Sequence, residues 1–247
     1  MKVEYVDNMG DELSVVNAAR VSFDKVSEWD TRLDHYSEKN DIATWEKDGW
    51  YFVDESTSGD IYQRLHDDDA RLIRYLAKHN HWTPFAHTAI TLRMSAPTPI
   101  RTQCFKHKAG LVENEESRRY ISSRPEVYIP DEFRSAPEGS VKQGSGGVHK
   151  LTEYWIREYT LQSIRSVEMY CDMIADGICP EQARFILPQG CMVNWIWTGN
   201  LASYARFYKE RTDPHAQKEA QDLAKMVAEI IEPLYPVSWK ALTGENK

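Results

Sequence analysis

The chain has 247 residues, 41% of them hydrophobic and 28% charged, and a formal net charge of −8. That length can bury a substantial core, and the composition is ordinary for a globular protein. The acidic balance argues against a general nucleic-acid-binding surface, although a local cation cluster can still serve small anionic molecules. Cys104, Cys171, Cys179 and Cys191 show no CxxC spacing, which gives no support to a zinc site or a redox dithiol. Reduced thiols in a cytoplasmic protein are the simplest reading. The N-terminus lacks a signal-peptide core, and no apolar run approaches the length of a membrane span.

In chain order, "MKVEYVDNM" alternates as a first strand, and "LSVVNAARVSF" reads as a short helix or a loop carrying Arg20 and Ser22. Residues 24–64 read as an irregular insertion, polar and Trp-rich through 24–60. "DDDARLIRYLAKHN" predicts a helix with acids at its start and Lys78 near its end, matched to the helix dipole. "TPFAHTAITLRMSAP" predicts a strand stopped by Pro97, and "IRTQCFKHKAG" a helix with Gly110 near its end. "EVYIPDEF" looks extended, and 134–147, rich in Gly, Ser and Pro, reads as a mobile loop. A long helix follows, with Gly177 as its C-cap, and then a short helix between Pro180 and Pro188. "NLASYARFYKER" and "AQKEAQDLAKMVAEIIEPLY" predict two more helices, the second ending before Pro236. The expectation is one α+β domain over 1–247, a β-sheet joined to a long-helix C-terminal half.

Three groups carry candidate chemistry. Lys106, His107 and Lys108 read as one helix turn, followed by Glu115, Ser117 and Arg119 on an extended segment whose alternate residues share a side. An exposed basic turn explains the first three as well as a site does. With the second three, the set offers an acceptor, a hydroxyl and a guanidinium to a polar ligand, with cations for phosphate. His79, His81 and His87 lack nearby Cys ligands and are interrupted by Pro84, which favours a structural role over metal. In "KERTDPHAQ", Asp213 and Pro214 read as a helix cap, which leaves Arg211 and His215 unexplained. Arg184 lies among apolar residues, where a guanidinium needs an anionic partner.

"KHK", the spacer "AGLVE" and "NEESRRY" together resemble the Arg-His-Arg, spacer, Asn-Glu-x-Ser-x-Arg-Tyr signature of the flavin-dependent thymidylate synthases. "AARVSF", "LIRYLAKHNHWTPFAH", "EVYIP", "ARFILP" and "ERTDPHAQ" are similar to family segments in the family order. The resemblance implies a mixed α/β fold, a homotetramer, and FAD at subunit junctions. It implies methylation of dUMP to dTMP, with methylenetetrahydrofolate as carbon donor and NADPH as reductant.

Carried onto this chain, the resemblance implies that Arg211 is catalytic, stabilising negative charge on the pyrimidine. It places Gln103, Lys106, Glu115, Glu116, Ser117, Arg118, Arg119, Arg184 and Arg211 at dUMP, with Ser117 as a ligand and not a nucleophile. Ser22, His87, Lys106, His107, Lys108, Glu115, Asn200, Arg206 and His215 fall at FAD. No metal, nucleic acid or membrane is expected. The chain departs from the family in having Lys-His-Lys for Arg-His-Arg, which keeps the charge without the bidentate fork. Its spacer is one residue longer, Ala86 replaces a usual Glu, Ala202 stands at an often basic position, and Arg206 at one that is often Asn. The alternatives are a same-fold flavoenzyme acting on another pyrimidine nucleotide or one-carbon unit, and a silent nucleotide- or RNA-binding homologue.

Overall fold

The computed structural model describes residues 1–35, 50–56, 59–137, 139 and 144–244. They form two compact units of the expected α+β class, one from 1–8 with 90–231, the other from 9–89 with 232–247.

The first unit is built on a four-stranded sheet. Its strands are β1 (Lys2–Met9), β5 (Ala89–Pro97), β6 (Leu111–Glu115) and β7 (Met192–Gly199), in the order β1-β5-β7-β6. β7 pairs antiparallel with both neighbours, setting Leu92 opposite Trp197 and Met94 opposite Trp195. Alternate residues of β5 and β7 are buried: Ile90, Leu92, Met94 and Ala96 on one, Val193, Trp195 and Trp197 on the other. That period-2 pattern is the reason both segments are strands with one face in the core. The sequence reading assigns nothing to 189–199, so it misses the strand that holds the sheet together.

Helix α6 (Leu201–Arg211) packs on this face. Trp197 meets Tyr204 and Phe207 edge-on at 5.4 and 4.9 Å, and the Tyr204 hydroxyl donates to the Trp197 carbonyl at 2.8 Å. Asn200 caps α6, its Oδ1 accepting from the Ser203 amide at 2.9 Å. Helix α7 (Lys218–Leu234) buries Leu223, Ala224, Val227 and Ile231, a helical spacing of apolar residues. Helix α4 (Thr152–Ala175) ends as expected at Gly177, whose φ is +86°. The Ile178 amide donates to the Met173 carbonyl and the Gly177 amide to that of Ile174, the paired bonds of a Schellman cap. The short helix α5 (Pro180–Ala183) opens at Pro180 as predicted. Of the loop expected at 134–147, residues 138 and 140–143 lie outside the described residues. Its ends are joined by an Arg134–Val148 bridge and by a bond from the Ser135 amide to the Gly147 carbonyl.

The second unit holds α1 (Glu12–Arg20), α2 (Asp67–Lys78) and α8 (Pro236–Thr243). It also holds β2 (Asp30–His35), β3 (Tyr51–Ser56) and β4 (Gly59–Arg64), an antiparallel sheet ordered β2-β4-β3. The irregular reading of 24–64 is therefore corrected. These strands are short and polar, and their pairing partners are one another, so local patterning shows little of them; 36–49 and 57–58 lie outside the described residues. Helix α8 is a further element the sequence reading lacks. Its first turn is capped by the Glu12 carboxylate, which accepts from the amides of Val237 and Ser238 at 2.6 and 2.9 Å and from the Ser238 hydroxyl. Burial pushes Glu12 above the usual carboxylate range, while these bonds pull it back. Tyr75 meets His79 at a tilt, with ring centroids 4.3 Å apart, and His81 edge-on at 6.1 Å.

Candidate active site

The triplet Lys106-His107-Lys108 does not lie on a helix. Helix α3 (Thr98–Cys104) stops just before it. The amides of Lys106 and His107 turn back to the carbonyls of Gln103 and Cys104, and Gly110, with φ +76°, redirects the chain into β6. A side chain at Gly110 would meet the Ser203 hydroxyl at 2.1 Å, so the turn lies hard against the start of α6. Ser203 Oγ and Arg206 Nη2 both donate to the Ala109 carbonyl, at 2.9 and 2.7 Å.

This turn drives the three residues apart. His107 is 5% exposed, while Lys106 and Lys108 stay at the surface. The His107 ring packs edge-on against Phe207 at 5.1 Å, and its Nε2 accepts from Arg211 Nε at 2.9 Å. Phe207 and Arg211 are four residues apart on α6, so one helix face supplies both contacts. Arg211 also donates through Nη1 to Gln103 Oε1 at 3.4 Å and through Nη2 to the Gln103 carbonyl at 3.3 Å. Gln103 in turn donates to Gln217 at 2.6 Å, Gln217 to Glu219 at 2.9 Å, and Arg134 to Glu219 at 2.5 Å. Among the described residues no carboxylate lies within ion-pair distance of Arg211. A cleft of about 540 Å³ is lined by Lys209, Glu210, Arg211, Asp213, His215 and Ala216.

Burial is the main cause holding His107 below the ordinary imidazole value. The Arg211 guanidinium adds to it, the Glu210 carboxylate opposes it, and Arg206 lowers it further. Burial also pushes the Cys104 thiol up to about 12, so it remains a thiol.

The other expected nucleotide residues fall into separate groups. Glu115 ends β6 and pairs with Arg101 at 2.9 Å; burial raises its carboxyl and Arg101 opposes the rise. Glu116 accepts from the Asn194 amide and side chain at 3.2 and 2.9 Å, extending the edge of the sheet. The alternation expected through Arg119 stops at Glu115, because the Tyr120 amide folds back to the Ser117 carbonyl at 2.9 Å. In that turn Ser117 Oγ accepts from the Arg119 amide at 3.3 Å, and Arg118 Nη1 donates to the Ser123 carbonyl at 2.7 Å. Arg119 pairs with Glu181 at 2.6 Å, and Arg184 Nε donates to the Glu181 carbonyl at 3.3 Å. Asp213 is not the cap of the next helix, which begins at Lys218. It accepts from the His215 amide at 2.8 Å and so shapes the intervening turn. Ser22 and His87 are exposed residues of the second unit.

The chain matches the family model described as thymidylate synthase complementing protein over residues 4–237. It is 31% identical over 241 residues to the flavin-dependent thymidylate synthase of Thermosipho africanus, covering 96% of this chain and 88% of that one. The same-named protein of Thermotoga neapolitana is 30% identical, with 97% and 89% covered. The chain belongs to the flavin-dependent thymidylate synthase family. A solved structure of the UMP/dUMP methylase PolB from Streptomyces cacaoi, bound with 5-Br dUMP, superposes with a TM-score of 0.75 at 25% identity. It covers 98% of this chain and 94% of that one.

Against the flavin-dependent thymidylate synthase signature, the structure adds residues that the motif does not contain. Arg101 pairs with Glu115, Glu181 with Arg119, and Gln217 with Gln103. Glu210 stands 3.7 Å from His107 Nδ1. Glu210 and Gln217 lie inside "ERTDPHAQ" and are visible in the sequence pattern; the roles of Glu181 and Arg101 become visible only through tertiary contact. The donor chemistry around the turn at 106–110 fits a flavin carrying a diphosphate. Lys106 is exposed with no side-chain partner among the described residues, Lys108 pairs with Glu113, and Arg206 and the capped start of α6 meet the turn at Ala109 and Gly110.

Proposed function

We propose that this chain methylates dUMP to dTMP, with methylenetetrahydrofolate as carbon donor and NADPH as reductant through FAD, acting as a cytoplasmic homotetramer. Both units act as one functional domain in this reading, which the family match over 4–237 supports. The observation that carries the activity is Arg211. Its donors rest on neutral acceptors, His107 and Gln103, so its positive charge is uncompensated by any ion pair among the described residues. Activating uracil at carbon 5 places negative charge on the ring, and a guanidinium fixed beforehand stabilises that charge without reorganising.

Bound flavin supplies the redox step. Lys106, Lys108, Asn200, Arg206 and His215, all of the first unit, would hold it. Arg119, on the Glu181 carboxylate, and Arg184, on the Glu181 carbonyl, would turn to a phosphate, which accepts paired guanidinium bonds. Ser117, at the same turn, offers a hydroxyl to the nucleotide. Among the described residues no helix is long and apolar enough to cross a membrane.

The similarity to a UMP/dUMP methylase favours one second reading, methylation of UMP. Assays with dUMP or UMP, FAD, NADPH and methylenetetrahydrofolate separate the two. Formation of dTMP from dUMP, lost in Arg211→Ala, supports the first reading; methylation of UMP alone overturns it in favour of the second.

A further inference from the structure

Arg211 Nε carries a single hydrogen, and its partner is the Nε2 of a buried imidazole at 2.9 Å. An imidazole accepts through Nε2 only while neutral and protonated on Nδ1; an imidazolium has no acceptor at all. The atom left to carry the proton, Nδ1, faces the Glu210 carboxylate at 3.7 Å. That carboxylate stabilises the Nδ1–H tautomer electrostatically, as the partner of one ring nitrogen sets the state of the other. We propose that His107 is a positioning residue for Arg211, fixing the guanidinium through neutral Nε2 while Glu210 selects the tautomer. Protonation of the ring releases the arginine. The proposal rests on the catalytic reading of Arg211.

The charged groups that act on His107 make this switch one-sided. Arg211 and Arg206 on α6 disfavour a second positive charge, and Glu210 alone favours it. Lys106 and Lys108 flank the ring along its own turn. The edge of Phe207 and the burial of the ring shut out water that would otherwise solvate an imidazolium. Below the lowered imidazole value the ring charges, the Nε bond is lost and a like charge stands against the guanidinium.

The test begins with ¹⁵N-histidine NMR of the unliganded protein, which does not depend on activity. The His107 signal is assigned by its loss in His107→Gln or, should that variant not fold, by its displacement in Glu210→Gln. The expected result is neutral His107 at pH 7, protonated on Nδ1, with a titration midpoint below the ordinary 6.5. In Glu210→Gln the midpoint falls further, and in Arg211→Ala it rises. Dependence of dTMP formation on pH is the second readout. Wild type shows an acid limb that follows the NMR midpoint. His107→Gln, whose amide oxygen can still accept, retains activity within about 10-fold and loses the limb. His107→Lys, a permanent cation without an acceptor, approaches the loss of about 100-fold typical of removing a preorganised donor. A charged or Nε2-protonated His107 at pH 7, or an acid limb that persists in His107→Gln, overturns the proposal. Full activity of Arg211→Ala with the expected NMR result would instead sink the catalytic reading and leave the His107 geometry standing.

Discussion

Arg20 and Arg211 are both partly buried at the last residue of a helix, and they are held in opposite ways. In the second unit Arg20 donates to Asp69, a carboxylate only 1% exposed that also accepts from Ser27 at 2.9 Å. Its charge is neutralised where it stands. In the first unit Arg211 is held with comparable care by an imidazole and an amide, neither of which carries a compensating charge. A partly buried guanidinium is costly unless paired, so the first arrangement is a structural joint, and the second is what the proposed role of Arg211 requires, a cation left to meet a partner outside the chain.

The largest effect that tests this difference is expected at Asp69. Asp69→Ala leaves the partly buried Arg20 charge without its counterion, and breaking a buried pair costs up to about 3–5 kcal/mol. Urea denaturation checks it; a variant within about 0.5 kcal/mol of wild type would remove the structural side of the comparison. Arg211→Ala comes next and inverts the pattern. Its dTMP formation should fall about 100- to 1000-fold with little change in urea midpoint. Arg211→Lys should recover little, since one ammonium cannot replace three directed donors. Equal losses of stability in Asp69→Ala and Arg211→Ala would erase the distinction.

Gly110→Ala is expected to fall between structure and function. The left-handed backbone costs about 1–2 kcal/mol for a residue with a Cβ, and that atom would press on the Ser203 hydroxyl. Displacing the turn moves Lys106 and Lys108, so FAD affinity by fluorescence titration should weaken together with stability. The smallest effect is the dependence of stability on pH. His107 titrates below 6.5 when folded, so the unfolded chain takes up its proton first as the pH drops. Stability from the neutral ring is complete above 6.5 and is lost as pH falls toward the lowered folded value. Glu12, raised above 4.5, acts in the opposite sense, losing stability as pH rises through its folded value. The readout is therefore the difference in urea midpoint between wild type and His107→Gln across this range; a difference that does not vary with pH contradicts the neutral, buried ring.

Much of this protein was legible because its determinants are local. The alternation of β1 and β5, the three aspartates opening α2 and the glycine closing α4 act over a few residues, and the ordered motifs of the family identified the chemistry. The triplet at 106–108 was legible as a candidate site but not as a shape. Two lysines around a histidine read as one helix turn, whereas α3 stops at Cys104 because the next residues gain more by closing a tight turn against Ser203 and Arg206 on a helix nearly a hundred positions away. β7 escaped notice although Val193, Trp195 and Trp197 alternate, since its role as a central strand depends on β5 and β6, both distant in sequence.

The sequence by itself determined the family, through ordered motifs, and with it the residues proposed for a pyrimidine nucleotide and a flavin. Tertiary structure alone decided that His107 would turn inward to Arg211 while its two lysine neighbours stay at the surface, that Glu116 would serve the sheet, and that Glu181 would stand between two arginines. The physical reason is range. Helix, strand and cap preferences are settled by neighbours along the chain. The state of a buried charge is settled by whichever distant groups the fold brings within hydrogen-bonding distance.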